Sequence, residues 1–330
     1  MSSTYLICRA HGYETRLISR SFMEELITSK SLQQLVEKLG KTDYSPFLKS
    51  ARDLREVEQG IANAFVSKLE ALLKAASGGE LRFLKTYLRR YEVQNLTWLM
   101  RMKAGKASRK EIEELLLPTE QLGGLDLKSF IEAESLEALI KQINRSGVYS
   151  IPKKVKEHLL LEAELWKSYY ETVFKAASKL RVEDRGDVRK LLGLEVDLVN
   201  LKTCMLLIAR GYEPEAAQSF LIENPKGIPL RRLLRFLRAG DVKVFLEHFP
   251  AYRSFLERAA AGEEWAMELE RLKAMKRFVD FRKIPKFISF FYVLKYVLDL
   301  EIEYRNLRAA AASIYHDLPM ELRRRMLIPV

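Results

Sequence analysis

Cysteine, histidine and long apolar runs are all scarce in this chain of 330 residues, and each scarcity removes a class of function. Two cysteines, Cys8 and Cys204, make no disulfide framework and point to a reducing compartment. The four histidines, His11, His158, His248 and His316, are never three or four residues apart. None is spaced from a cysteine as a metal ligand would be, so no zinc site is expected. The longest apolar run, 287–300, is interrupted by Lys295 and is too short to span a bilayer, so it reads as a buried core helix. Met1-Ser2-Ser3-Thr4 lacks a basic region followed by an apolar one, and no secretory leader is expected.

Catalytic signatures are missing as well. Gly78-Gly79 and Gly123-Gly124 fall at helix breaks rather than in a phosphate-cradling loop, and no nucleophile elbow occurs. Glu24-Glu25 and Glu263-Glu264 are adjacent carboxylates, but each pair stands at a helix start, where acids favour the helix dipole. No segment alternates with a period of two between turn dipeptides, which excludes a substantial sheet. No cofactor, metal or catalytic residue is therefore expected.

What the chain does have is a repeat. Glu92-Val93-Gln94-Asn95-Leu96, Asp197-Leu198-Val199-Asn200-Leu201 and Glu303-Tyr304-Arg305-Asn306-Leu307 all read acid-x-x-Asn-Leu. The asparagines are 105 and then 106 residues apart, in a chain about three such periods long. A common period of this kind marks one structural unit used three times. Breaks precede the three copies at Ser77-Gly78-Gly79, Glu183-Asp184-Arg185-Gly186 and Lys283-Ile284-Pro285, and Pro118, Pro225 and Pro329 follow them. The resulting domains are 1–118, 119–225 and 226–330.

Each domain reads as helical. Within 54–76, Val57, Ile61, Ala64, Phe65, Leu69, Leu72 and Leu73 form one stripe at three- and four-residue spacing. Leu159, Ala163, Trp166, Tyr170, Val173 and Ala177 predict a second stripe, and Leu269, Leu272, Met275 and Val279 a third. The motif segments 81–103, 188–209 and 287–313 are apolar on more than one side and should be the most buried helices. Ser31 with Gln34, and Ser108 with Glu111, have the spacing of capping boxes. The expected fold class is all-α, with three similar helical bundles of two long helices and several short ones.

The acid and the asparagine of each motif lie three residues apart, so Glu92 and Asn95, Asp197 and Asn200, and Glu303 and Asn306 share a helix face. A buried amide needs partners, which favours a structural clamp over a ring of three sites facing a common axis or partner. The formal net charge is +12. From Lys226 onward there are 21 lysines and arginines against 13 acids, so two thirds of the excess sits in the last third of the chain. Arg231, Arg235 and Arg238 fall on one face of a basic amphipathic helix, either a solvated surface or a docking site for an anionic partner. Nucleic-acid binding usually adds interleaved exposed aromatics or a recognised fold, and neither is present. A basic helical-repeat nucleic-acid-binding protein is the alternative class that this charge leaves open.

With the repeats in place, the chain resembles the C subunit of the archaeal and vacuolar-type rotary ATPases, in the family that includes the vacuolar d subunit. Tyr5, Arg9-Ala10, Glu14 and Arg16-Leu17-Ile18-Ser19 resemble the family's opening segment. Ser31-Leu32 followed by Leu39-Gly40-Lys41-Thr42-Asp43-Tyr44 resembles its Thr-x-Tyr element, and the three motif helices resemble its own. The chain departs from the family at Gly147-Val148-Tyr149, a reduced copy of that element. A second departure is 309–316, where an alanine-rich stretch replaces the usual Gly-Lys turn. The resemblance covers the whole chain. It implies a funnel of three related helical domains around a pseudo-threefold axis, with no active site. It also implies a central-stalk rotor subunit that joins the axle subunits to the membrane rotor ring during proton or sodium transport linked to ATP synthesis or hydrolysis. Such a subunit lies at the cytoplasmic face of the cell membrane and touches the membrane through the ring.

Overall fold

The computed structural model describes residues 3–105, 109, 112–113, 116–152, 158–283 and 288–328. Their regular structure is all helical, with no strand among them. The helices, in chain order, are α1 (Ser3–Glu14), α2 (Arg20–Ile27), α3 (Leu32–Leu39), α4 (Ser45–Leu48), α5 (Leu54–Ala75) and α6 (Gly78–Ala104). They continue with α7 (Leu127–Ile131), α8 (Leu136–Arg145), α9 (His158–Ala177), α10 (Val182–Ala209), α11 (Pro214–Ala217) and α12 (Leu230–Leu237). The last are α13 (Val242–His248), α14 (Arg253–Ala260), α15 (Glu264–Lys283), α16 (Phe290–Tyr315) and α17 (Met320–Arg325).

Packing divides the chain into two compact units, one of residues 1–85, 110–125 and 279–330, the other of 86–109 and 126–278. The units do not follow the sequence period, because a motif helix packs against short helices from the next period along the chain. In the first unit, α5 and α1 lie along α16. Every residue of α16 from Phe290 to Leu300 is buried, as its all-round apolar character requires. Its lower half meets Met23, Leu26, Leu35, Leu39, Tyr44 and Leu48 through Leu307, Ala311 and Ile314. The α4 turn comes so close to α5 that a Cβ at Gly60 would overlap the Phe47 carbonyl, so only glycine fits there. In the second unit, α9 and α10 pack as a hairpin, and α10 also carries α12 and α14.

Two expectations are corrected. The break predicted at 183–186 is not one: α10 starts at Val182, with Glu183 and Asp184 in its first turn, where acids offset the dipole. The chain turns earlier, at 178–181. The stripe of α9 is out of phase in its first half. Leu161, Leu165 and Tyr169 are buried, whereas Leu159, Ala163 and Trp166 are only partly covered. Trp166 instead lays its ring against Tyr169 and Tyr170, with centroids 5.7 and 6.0 Å away. The Ser31 cap forms as predicted, its hydroxyl accepting from the Gln34 amide at 3.2 Å. The Gln34 side chain accepts from the Lys30 amide rather than from Ser31. The Ser108 cap, the 284–285 break and Pro329 lie outside the described residues.

Lys295, the charge that interrupts the long apolar run, is buried. It donates to Asp299 one turn further along α16, at 2.5 Å, and to Glu14 on α1. Burial pushes the Glu14 carboxyl up, but the bonds from the Lys295 ammonium and the Tyr292 hydroxyl outweigh it and hold the group below the ordinary carboxylate range.

Candidate functional site

The six motif residues are buried on the three longest helices, α6, α10 and α16. Each side chain of an acid-x-x-Asn pair has its own task. Asn200 is wholly buried and grips one residue of the backbone downstream: its amide donates to the Ile222 carbonyl at 2.7 Å and accepts from the Ile222 N–H at 2.8 Å. Asn306 holds Ile328 in the same way, at 2.8 and 2.9 Å. In both cases the clipped residue is 22 positions beyond the asparagine. A residue in irregular backbone cannot pair its N–H and C=O within a helix, and the carboxamide supplies both partners at once. Asn95 is equally buried on α6.

The acids reach forward instead. Glu303 accepts from the Tyr44 hydroxyl at 2.7 Å, the Lys68 ammonium at 2.8 Å and the Ile18 N–H. Asp197 accepts from the Ile228 N–H at 2.7 Å, the Asn224 amide at 2.6 Å and the Tyr252 hydroxyl at 2.9 Å. Glu92 accepts from the Tyr149 hydroxyl at 2.5 Å. A tyrosine therefore caps every motif acid, and each tyrosine comes from the sequence period after its acid, the third acid taking its tyrosine from the first period. The loop over Asp197 lies so close that a Cβ at Gly227 would overlap the carboxylate and the Asn224 amide. Burial pushes the Asp197 carboxyl up, while the bonds from Ile228, Tyr252 and Asn224 pull it back toward the charged form.

Sequence reasoning placed all six motif residues, but it missed what the acids hold. The signal was present: Tyr44, Tyr149 and Tyr252 are 105 and 103 residues apart, the period of the motif itself. Lys68 carried no signal, because a lysine on a long amphipathic helix is usually solvated. A further buried pair, Arg90 with Glu195 at 2.8 Å, braces α6 against α10, with the Tyr87 hydroxyl also donating to Glu195 at 2.9 Å. Arg231, Arg235 and Arg238 lie exposed together on α12, as their spacing predicts. Among the described residues no three side chains of His, Cys, Asp or Glu gather as a metal site would need.

These tyrosines must stay protonated to donate. Burial, followed by the adjacent charge of Glu303, raises the Tyr44 hydroxyl well above its ordinary value of about 10. A group raised in the folded state stabilises the fold below its unfolded pKa and loses that contribution as pH climbs through the folded value. Tyr44→Phe should thus cost about 2 kcal/mol at neutral pH, for a lost bond to a charged acceptor. Above about pH 10 its stability should fall less steeply than that of the unaltered protein, by up to ~1.4 kcal/mol per pH unit. Urea unfolding across that range measures both; parallel curves would mean that Tyr44 titrates as it does in the unfolded chain.

Comparison with known proteins places the chain among relatives that match it over most of its length. The family model for the ATP synthase (C/AC39) subunit matches residues 6–326. The C subunit of an A-type ATP synthase from Pyrococcus horikoshii is 27% identical over 94% of this chain and 86% of its own length. Proteins of the same description from Desulfurococcus and Archaeoglobus fulgidus are 24% and 22% identical, over 96% and 98% of this chain and 88% and 96% of theirs. With the match running almost from end to end and taking in all three motifs, the chain belongs to the ATP synthase (C/AC39) subunit family.

Proposed function

We propose that this protein is a non-catalytic central-stalk subunit of an A/V-type rotary ATPase, passing torque between the axle subunits and the membrane rotor ring. ATP synthesis and ion transport follow from the family. The observation that carries the coupling role is the use made of the motif polar groups: the carboxylates of Glu303 and Asp197 and the amides of Asn200 and Asn306 are taken up by bonds between helices and loops. Carboxylates held this way stiffen a scaffold and have no geometry for acid–base work on a substrate. A part that transmits torque needs that stiffness.

The same bonds support reading the chain as three related domains, 1–118, 119–225 and 226–330, and the family resemblance adds a pseudo-threefold axis and a funnel. In that reading Asn200 and Asn306 each close their own domain and each acid seats the next, the third acid returning to the first domain through Tyr44. No helix among the described residues is long and apolar enough to cross a membrane. In the proposed role contact with the membrane runs through the ring, at its cytoplasmic face. The test is recovery of the tagged chain from membranes solubilised in mild detergent. Co-purification of ATPase subunits is the expected result. Ribonucleoprotein in their place would favour the nucleic-acid-binding class, and neither would remove the coupling role.

A further inference from the structure

The geometry points to the exposed arginine face of α12 as a docking surface for a carboxylate-bearing face of another protein subunit, an inference that rests on the proposed place of this chain in a rotary complex. α2 and α12 can be aligned without reference to charge. Each begins two residues after a backbone N–H, of Ile18 and of Ile228, that donates to a motif carboxylate. In that register Met23, Leu26 and Ile27 match Leu233, Phe236 and Leu237, and all six are buried. The two helices thus do the same packing work with different surfaces.

The difference is a charge reversal at one matched place. The sixth residue from the start of α2 is Glu25; in α12 it is Arg235. Glu25 has a partner within the chain, Lys38 at 3.8 Å, although its carboxylate is largely exposed. Arg235 has no such partner among the described residues, nor does Arg231 one turn before it. Of the other two arginines, Arg232 lies over the Phe249 ring and donates to the His248 carbonyl. Arg238 only approaches Glu215, at 4.0 Å with both side chains exposed.

Local stability asks for only part of this charge. Arg235 stands in the last turn, where a cation suits the helix dipole, but Arg231 and Arg232 stand in the first turn, where cations oppose it, and Arg231 repels Arg235 one turn away. α12 carries no acid to relieve them. First-turn charge that the helix disfavours, on an exposed face that packing does not use, suits an anionic partner. Arginine, with its planar fork, suits carboxylates. The apolar side of α12 is spent on its own core, and no large hydrophobic side chain is exposed in the described residues from 226 to 253. A surface that inserts into a bilayer or stacks on bases would display such residues. An acidic protein face needs none.

The test uses the full chain and a rotary ATPase complex purified without it. The Arg231→Glu/Arg235→Glu pair should retain its helicity, since both residue types favour helix. It should associate with the depleted complex about tenfold more slowly than the unaltered chain and lose most of the salt dependence of that rate. An Arg235→Lys variant treated with a carbodiimide should give a zero-length cross-link from position 235 to an aspartate or glutamate of another subunit, located by mass spectrometry. That variant keeps the charge, so it tests the surface even if the double reversal misfolds. Unchanged association and no cross-link overturn the docking surface while leaving the coupling role standing. So does charge-dependent binding only to phosphatidylglycerol vesicles, or only to bulk RNA. Failure of the unaltered chain to join the complex overturns both.

Discussion

Glu303→Leu should destabilise the protein by about 5 kcal/mol, the largest effect expected of any single substitution. The carboxylate satisfies a hydroxyl, an ammonium and a backbone N–H at once, and it is buried to 2% exposure. Leucine leaves Lys68, itself largely covered, as an unpaired charge in the core. Removing one partner of a buried ion pair costs about 3–5 kcal/mol, and an orphaned N–H or hydroxyl adds about 1–3. Charge removal has a clear signature. Adding Lys68→Met should recover about 2 kcal/mol or more, because an apolar pair in place of a buried ion pair is often neutral or stabilising. Chemical denaturation of the single and double variants measures both numbers. A cost below about 1 kcal/mol for Glu303→Leu would mean that the carboxylate has other ways to be satisfied and does not hold α16 to Tyr44 and Ile18.

Asn306→Leu comes next, at about 4 kcal/mol, and Asn200→Leu should match it. Each asparagine is wholly buried and provides both partners for one backbone residue, Ile328 or Ile222. Leucine has the same branched shape but strands an N–H and a C=O together, each costing about 1–3 kcal/mol when left buried and unpaired. Asn95→Leu supplies the comparison that matters for the threefold reading. Equivalent positions should pay alike, so its cost should fall within about 1 kcal/mol of the other two. A near-zero value at Asn95 beside large values at Asn200 and Asn306 would set the first motif apart from its fellows.

Much of this was legible in the sequence because it is periodic. Three acid-x-x-Asn-Leu copies located the most buried helices and the six polar residues within them, and the stripe of α5 gave its buried face residue by residue. What stayed hidden depended on contacts between periods. The partners of the acids stayed out of sight because their tyrosines lie 55 to 57 residues away in two cases and, for Glu303, near the other end of the chain. No local window connects such pairs. The start of α10 was misplaced because Glu183-Asp184-Arg185-Gly186 reads as a polar turn, while acids in a first helical turn are stabilising and one exposed glycine costs only about 1 kcal/mol. In α9 the aromatic and aliphatic residues surround the helix, so a stripe could be drawn through the wrong side, and only the packing of Trp166 on its tyrosine neighbours shows which side is covered.

The three motifs, their tyrosine caps and the arginine face all serve one central claim, that this chain carries torque and does no chemistry. The direct measurement is ion pumping by the rotary complex in sealed vesicles, with and without the chain, alongside ATP hydrolysis in the same preparation. Without the chain, hydrolysis should persist while pumping collapses, and adding the purified chain back should restore pumping. Pumping that continues undiminished in its absence, or hydrolysis that the isolated chain performs and a point substitution in it abolishes, would contradict the account.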